Sequence, residues 1–285
     1  MNIAILGSAG QIGAYLKEYL KEKGHDVIGV DIVDGPQNDL RVTPNTHVES
    51  VIKNADFVFF LAFDVGGSHY LKKYQNTFQF INNNTRMMAN TFALLEKYRK
   101  RFVFASSQMS NMSYSPYGVM KRVGELHTTA LNGLIVKFWN VYGIEKDMEK
   151  AHVITDFIRK GFEVGEFEMM TDGTEERQFL YAEDCCEGLE AVMENFTDFK
   201  PEDPLHITSF HSTSIKSVAE IIQGCFNRIG KYDVRIKPGL AKDSVQMDKR
   251  NEADNYIMSW WLPKTGIEAG INKVFDEMKK EYVND

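Results

Sequence analysis

The chain is poor in cysteine. Its three thiols are Cys185, Cys186 and Cys225, and no CxxC pair occurs. That usage excludes a disulfide framework and a cysteine zinc site, and it points to a reducing compartment, the cytoplasm. The seven histidines form no HExxH and no other ligand spacing, so no metal is expected. Positive charge is not in excess: 33 Lys and Arg stand against 40 Asp and Glu, a net charge of −7. A basic face for nucleic acid is therefore not expected, although a few local cations can hold an anionic small ligand. Long apolar runs are missing too. The longest, FVFFLAF at 57–63, is far too short to cross a bilayer. MNIAILG at the start has no charged leader, so no membrane association is expected. Internal repeats, low-complexity segments and proline- or serine-rich linkers are absent.

What is present is ordinary globular material, 43% hydrophobic and 26% charged over 285 residues, enough for a large core. NIAIL (2–6) reads as a strand, followed by a helix in which Ile12, Tyr15, Leu16, Tyr19 and Leu20 recur at helical spacing. Further strands are expected at 26–31, 56–63, 101–106 and 134–139, with helices near 46–54, 84–100 and 117–131. Apolar strands alternating with helices predict a Rossmann-type, doubly wound parallel sheet covered on both faces. Beyond residue 145 the elements shorten, with helices near 151–160, 183–195 and 214–228 and strands at 177–181 and 205–208. The division expected is a dinucleotide-binding domain over 1–145 and a smaller α/β C-terminal substrate lobe over 146–285, partly interleaved with the sheet domain.

ILGSAGQIG sets Gly7, Gly10 and Gly13 three apart between a strand and a helix. Gly7 permits the turn, Gly10 lets backbone approach a pyrophosphate, and Gly13 lets the helix pack on the sheet. The helix N-terminus, at Gln11 and Ile12, supplies free N–H groups and a positive dipole end. Asp31 ends the second strand, where a carboxylate accepts both ribose hydroxyls of an adenosine. That acid would repel a 2′-phosphate, so the cofactor expected is NAD rather than NADP.

SSQMSNMSYSPYGVMK (106–121) is dense in hydroxyls. Tyr117 and Lys121 lie one helical turn apart and share a face. An ammonium beside a phenol favours phenolate, which can take a proton from a sugar hydroxyl as hydride leaves the same carbon. Ser107 follows a core strand at its carboxyl end, where sites gather in open α/β sheets.

Together these motifs resemble the extended short-chain dehydrogenases, in particular the nucleotide-sugar epimerase and dehydratase branch, over nearly the whole chain. The resemblance implies catalysis by Ser107, Tyr117 and Lys121. It implies cofactor contacts from Asp39 and Leu40, from Leu61 and Ala62 in FLAF, and from Asn84. FWNVYG (138–143) is similar to a family segment in which Asn140 would face the sugar or diphosphate. DGTEERQFLYAEDCCEGL (172–189) resembles another, in which Arg177 would clamp the diphosphate of the substrate; Lys242 and Arg250 are weaker candidates for a second such cation. SWWLPKTGIEAGI (259–271) resembles the family's C-terminal element. Pairing of the helices at 84–100 and 117–131 across a twofold axis implies a homodimer.

The departures narrow the chemistry. Gln108 and Met109 stand where dehydratases of this kind carry Asp-Glu, and neither is an acid or base. DVGG (64–67) resembles the sugar loop of GDP-mannose 3,5-epimerases, which implies substrate contacts from Gly66, Gly67 and Lys150 and favours a GDP-sugar, yet Met109 falls where those enzymes have a catalytic cysteine. Lys137 replaces the usual arginine before FNVYG. The expectation is an NAD-dependent oxidoreductase acting at C4 of a nucleotide-diphosphate sugar, as a 4-epimerase or a 4-dehydrogenase/ketoreductase, without proton exchange at C3 or C5. Two other readings stand beside it: an inert NAD-binding sensor or interaction module of the same fold, and an NAD-dependent dehydrogenase of a non-nucleotide alcohol.

Overall fold

A computed structural model describes residues 1–243 and 252–283. The amino-terminal half alternates strands and helices: β1 (Asn2–Leu6), α1 (Gln11–Glu22), β2 (Asp26–Val30), α2 (Thr46–Asn54), β3 (Phe57–Phe60), α3 (Ser68–Tyr74), α4 (Phe78–Lys97), β4 (Arg101–Ser107), α5 (Pro116–Ala130) and β5 (Leu134–Phe138). The rest comprises β6 (Asn140–Tyr142), α6 (Val153–Val164), β7 (Glu166–Glu168), β8 (Glu176–Tyr181), α7 (Ala182–Glu194), β9 (Leu205–Ile207), β10 (Ser212–Ser214), α8 (Ile215–Ile229), β11 (Arg235–Lys237) and α9 (Ile267–Tyr282).

The main sheet runs β2-β1-β3-β4-β5-β9 and every pairing in it is parallel. Side chains alternate across it. Ile3 and Ile5 join α1 and α7 side chains such as Leu16 and Leu189 on one face. Ala4 and Leu6 join Val51, Phe92 and Met120, from α2, α4 and α5, on the other. Burial on both faces is why the middles of these strands read as apolar runs rather than as alternating ones. The expected doubly wound α/β sheet is the fold.

The carboxyl-terminal elements form a second core around Phe157, Phe167, Phe226 and Phe275. It is backed by the sheet β10-β8-β6 and the pair β11-β7. Two of its elements return to the first core. β9 closes the edge of the main sheet beside β5, and α7 packs on α1 through Cys185, Cys186 and Leu189. The strand read at 205–208 thus belongs to the main sheet. Helix α4 starts at Phe78, earlier than its apolar spacing suggested, because Thr77 caps it by accepting the Phe80 N–H at 3.2 Å. Helix α3 has no counterpart in the sequence reading.

No described helix is long and apolar enough to cross a membrane. Among the described residues the three cysteines are unbonded and buried.

Candidate active site

The strand-turn-helix at the chain start is held by backbone contacts. Gly7 has φ +90°, and a Cβ there would lie 2.6 Å from Ala62 N. A Cβ on Gly13 would lie 2.0 Å from Gly7 O, so only glycine lets α1 approach the turn. A Cβ on Gly10 would meet nothing nearer than Gly7 O at 3.4 Å, which leaves that side of the turn open. Gly10 caps α1 without a side-chain bond, so the first-turn N–H groups of Gln11, Ile12 and Gly13 point outward with no intrahelical partner. Asp31 ties this turn to the end of β2. Its Oδ2 accepts from Ala9 N at 3.0 Å and its Oδ1 from Val33 N at 3.2 Å.

A cleft of about 1140 Å³ opens over the carboxyl ends of β1 to β5. That exceeds the usual size of a pocket for one small ligand, which is ~300–1,000 Å³. It is lined by Gly7, Gly10, Gln11, Ile12, Gly13, Asp31, Asp39, Leu40, Leu61 and Ala62 at one end. Gly66, Ser107, Tyr117, Lys121, Trp139 and Lys150 line the other. A side pocket of about 110 Å³ joins Asn140 and Arg177 to Lys242 and His152. His152 lines both spaces.

The hydroxyl-rich stretch builds the cleft wall. Ser115 caps α5 by accepting from Gly118 N at 3.2 Å, and Pro116 occupies the first turn. Gly118 then packs under Met109, where a Cβ would lie 2.2 Å from the Met109 carbonyl oxygen. Ser107 Oγ accepts from Met109 N at 3.1 Å, which leaves its own proton for the Tyr117 hydroxyl that it hydrogen-bonds. Lys121 is 3% exposed; its Nζ donates to Ala105 O at 2.6 Å and sits 3.8 Å from the Phe63 ring centroid. Ser107, Tyr117 and Lys121 therefore converge as the spacing implied.

Their electrostatics run against the sequence expectation. Burial pushes the Tyr117 phenol up to about 12, and the Ser107 hydrogen bond offsets only part of this. Burial likewise brings Lys121 down to about 7, against the pull of Glu125. Desolvation thus outweighs the attraction between an ammonium and a phenolate.

Several other candidates occupy places that spacing could not show. Asn84 stands behind the cleft wall, fully buried. Its Oδ1 accepts from Asp64 N at 2.7 Å and its Nδ2 donates to Asp64 O and Phe80 O, so it fixes the loop after β3; Asn83 lines the cleft instead. Both oxygens of Asp39 take Arg41, at 2.8 and 2.9 Å, and this bidentate bond holds the carboxyl below its usual range. Gly67 is a packing point: its N–H donates to Lys150 O at 2.9 Å, and a Cβ would lie 2.5 Å from Ala151 O. Lys150 faces Asp64 at 3.6 Å, and Asp64 also receives the Tyr70 hydroxyl at 2.6 Å. Arg177 is bonded by Asp243 and donates to Glu176 O at 2.7 Å. Lys137 is buried against Glu125 at 3.4 Å. Arg250 lies outside the described residues.

One pair was missed altogether. The buried carboxylate of Glu145 accepts from His152 Nδ1 at 2.7 Å and from the His152 backbone N–H at 2.7 Å. Burial alone would lower the His152 pKa; the Glu145 charge and hydrogen bond outweigh it and hold it above the ordinary value. No motif marks two residues seven apart in an irregular loop.

A parallel six-stranded sheet with a glycine turn and a Ser-Tyr-Lys wall defines a dinucleotide-dependent dehydrogenase fold. Comparison with known proteins agrees. The family model "NAD dependent epimerase/dehydratase family" matches residues 3–207, and the chain belongs to that family. It is an enzyme, its cofactor is NAD, and its relatives act on nucleotide sugars. GDP-mannose 3,5-epimerase 1 of Oryza sativa subsp. indica is 29% identical, over 99% of this chain and 82% of that protein. Among solved structures, epimerase Mth375 of Methanothermobacter thermautotrophicus superposes with a TM-score of 0.82 at 18% identity, covering 98% of this chain and 92% of the other. The Bordetella bronchiseptica enzyme WbmF, in complex with NAD+ and UDP, superposes with a TM-score of 0.78 at 20% identity, covering 98% and 92%.

The Lys121 shift makes a stability prediction. The amine titrates at 10.5 ordinarily and near 7 when folded. Between those values the unfolded chain holds the extra proton, so this group makes stability rise with pH across the window. Relative to the parent without NAD, Lys121→Met should gain most at and below pH 7, and its advantage should shrink toward pH 10. Urea unfolding of both proteins at pH 6.5 and 9.5 checks this; a difference that does not vary with pH contradicts it.

Proposed function

We propose that the protein carries out NAD-dependent hydride transfer at C4 of a nucleotide-diphosphate sugar, with a GDP-sugar favoured by the DVGG loop. The observation that carries this reading is the Ser107–Tyr117 hydroxyl contact beside buried Lys121, open to a cleft too large for one small ligand. Residues 1–145 are read as the NAD-binding part and 146–285 as the substrate lobe. The unbonded thiols fit a cytoplasmic location.

The residues present fit NAD. The open side of Gly10 and the free N–H groups of Gln11, Ile12 and Gly13 would hold its pyrophosphate. Asp31 keeps lone pairs for the adenosine ribose, and Lys121 would donate to the second ribose. NAD supplies the hydride acceptor and a positive charge. Tyr117 takes the O4 proton while Ser107, already donating toward it, aligns the sugar hydroxyl. Asn140 and Arg177 in the side pocket are read as substrate contacts, with Arg177 exchanging Asp243 for diphosphate oxygens. Gly66, Gly67 and Lys150 are read as the sugar-side wall.

The test is mass spectrometry of small molecules released from the purified protein, followed by turnover on UDP-, GDP- and dTDP-sugars. Tyr117→Phe should lower turnover at least ~10²-fold while NAD stays bound. Near-parent turnover in that variant would return the wall to a structural role.

Cofactor choice is tested separately. NADH should bind at least ~10-fold tighter than NADPH, because Asp31 meets a 2′-phosphate with like charge. Asp31→Ala should weaken NADH selectively; equal parent affinities in a fluorescence titration would refute the assignment.

A homodimer through α4 and α5 is also proposed. Val119, Val123 and Leu126 form an exposed apolar stripe on α5, and Phe78 and Ile81 stand exposed on α4. Such a face is covered in a stable assembly. Light scattering at micromolar concentration should give twice the chain mass of 32.6 kDa; a monomer contradicts it.

A further inference from the structure

We propose that His152, held by Glu145, is a second proton-transfer group of this cleft, acting on a sugar carbon adjacent to the C4 ketone. The proposal rests on the C4 reading and goes beyond it. It also replaces the expectation that the sugar carbons beside C4 keep their protons.

The pair has the parts of an oriented base. Glu145 is 7% exposed at its side chain, and its two oxygens are satisfied by His152 alone among the described residues, one by Nδ1 and one by the backbone N–H. That fixes the tautomer of the neutral ring, with the proton on Nδ1 and, in that form, the lone pair on Nε2. The ring itself is 39% exposed. Its Nε2 makes no hydrogen bond among the described residues, and it lines both the main cleft and the side pocket. A mere tie for the 143–152 loop needs only the backbone N–H. An imidazole that lines both the main cleft and the side pocket, between which a sugar would lie if C4 faces Tyr117 and the diphosphate faces Arg177, can do more than tie a loop.

The pair is also rigidly set against the cofactor half. Gly66 and Gly67 pack on the backbone of Lys150, Ala151 and His152, where added Cβ atoms would come within 2.9 Å of Lys150 Cα and 2.5 Å of Ala151 O. The loop is closed on the other side by Ile144 N donating to the Tyr15 hydroxyl at 2.9 Å and Thr155 Oγ1 donating to Gly143 O at 2.9 Å.

The step balances without a further oxidant. Once C4 is a ketone, the C–H bond beside it breaks toward Nε2. The pair of that bond becomes the enolate double bond, and the carbonyl pair moves to O4, where the protonated Tyr117 hydroxyl donates to it. Imidazolium forms against the Glu145 carboxylate. Return of the proton from Nε2 restores the C–H bond, and in deuterated water the same return, after exchange of the imidazolium with solvent, places deuterium there.

The test supplies the ketone ready-made. UDP-, GDP- and dTDP-linked 4-keto-6-deoxyhexoses are incubated with the NAD-loaded protein in deuterated water, and loss of the C3 or C5 proton signal is followed by NMR. The parent should exchange at one of these carbons. His152→Ala should lower that rate at least ~100-fold, and added imidazole should restore part of it. NAD affinity and the melting curve, measured in parallel, establish that the variant is folded; His152→Gln is the second variant should His152→Ala not fold, and it too should lose exchange. The His152 Nδ1–H should give a downfield proton signal that Glu145→Gln shifts upfield. No exchange by the parent on any of the three ketones, parent-like exchange in the variants, or loss that imidazole leaves unrepaired would each overturn the proposal. The C4 reading fails differently, by absence of turnover on ordinary nucleotide sugars while the ketones still exchange.

Discussion

The amine of Lys121, buried and bonded to the Ala105 carbonyl at 2.6 Å, is the constraint around which the catalytic wall is arranged. It joins α5 to the end of β4 and so sets Tyr117, one turn earlier, beside Ser107 at the end of that strand. The packing beneath leaves no slack. Gly124 lies on the Phe104 ring, where a Cβ would come within 2.2 Å, and Gly118 lies under Met109. A shift of α5 along the strand would break both approaches and the lysine bond together. Position here is set by backbone-to-sheet contact, and the side chains inherit it.

On the substrate side the rule is electrostatic. Four cations at the rim are matched: Arg41 by Asp39, Lys150 by Asp64, His152 by Glu145 and Arg177 by Asp243. A protein of net charge −7 can keep such groups close to a cleft without exposing bare positive charge. If Arg177 holds a substrate diphosphate as proposed, the diphosphate would replace a carboxylate there, which trades affinity for selectivity. Exchange costs least where the carboxylate is most accessible, and among these pairs Asp243 is the most exposed acid, at 22% of its side chain.

Much of this was legible from the chain alone, for identifiable reasons. The β1-α1-β2 unit with Asp31 and the Ser107, Tyr117 and Lys121 set depend on contacts within one or two helical turns, or on the ends of strands with strong apolar patterning. Asn84 was misplaced because a buried amide serving a neighbouring loop carries no periodic mark. The start of α4 was missed because Phe78 and Ile81 are exposed and break the apolar stripe that the core-facing residues define. The pairing of β9 with β5 was not legible because a strand's partner is long-range information. Glu145 and His152 were invisible for the same reason: they meet through loop geometry, and loops have no period. The direction of the Tyr117 shift was misjudged because spacing reports proximity to Lys121 and says nothing about desolvation.

That last point bears on how the reaction is controlled. Burial favours the neutral phenol at Tyr117 and the neutral amine at Lys121, so the protein's own packing opposes both ions that proton abstraction would use. A positive charge in the same low-dielectric space, which the nicotinamide of NAD would bring, would favour the phenolate at Tyr117 but not the ammonium at Lys121. On the proposed C4 reading, cofactor binding would favour the base form of Tyr117 and so couple proton transfer at O4 to the presence of a hydride acceptor. The same protonated tyrosine suits the later stage. On the proposed reading, the O4 oxygen of a ketone would need a donor, and a phenol with its pKa raised by burial would supply one.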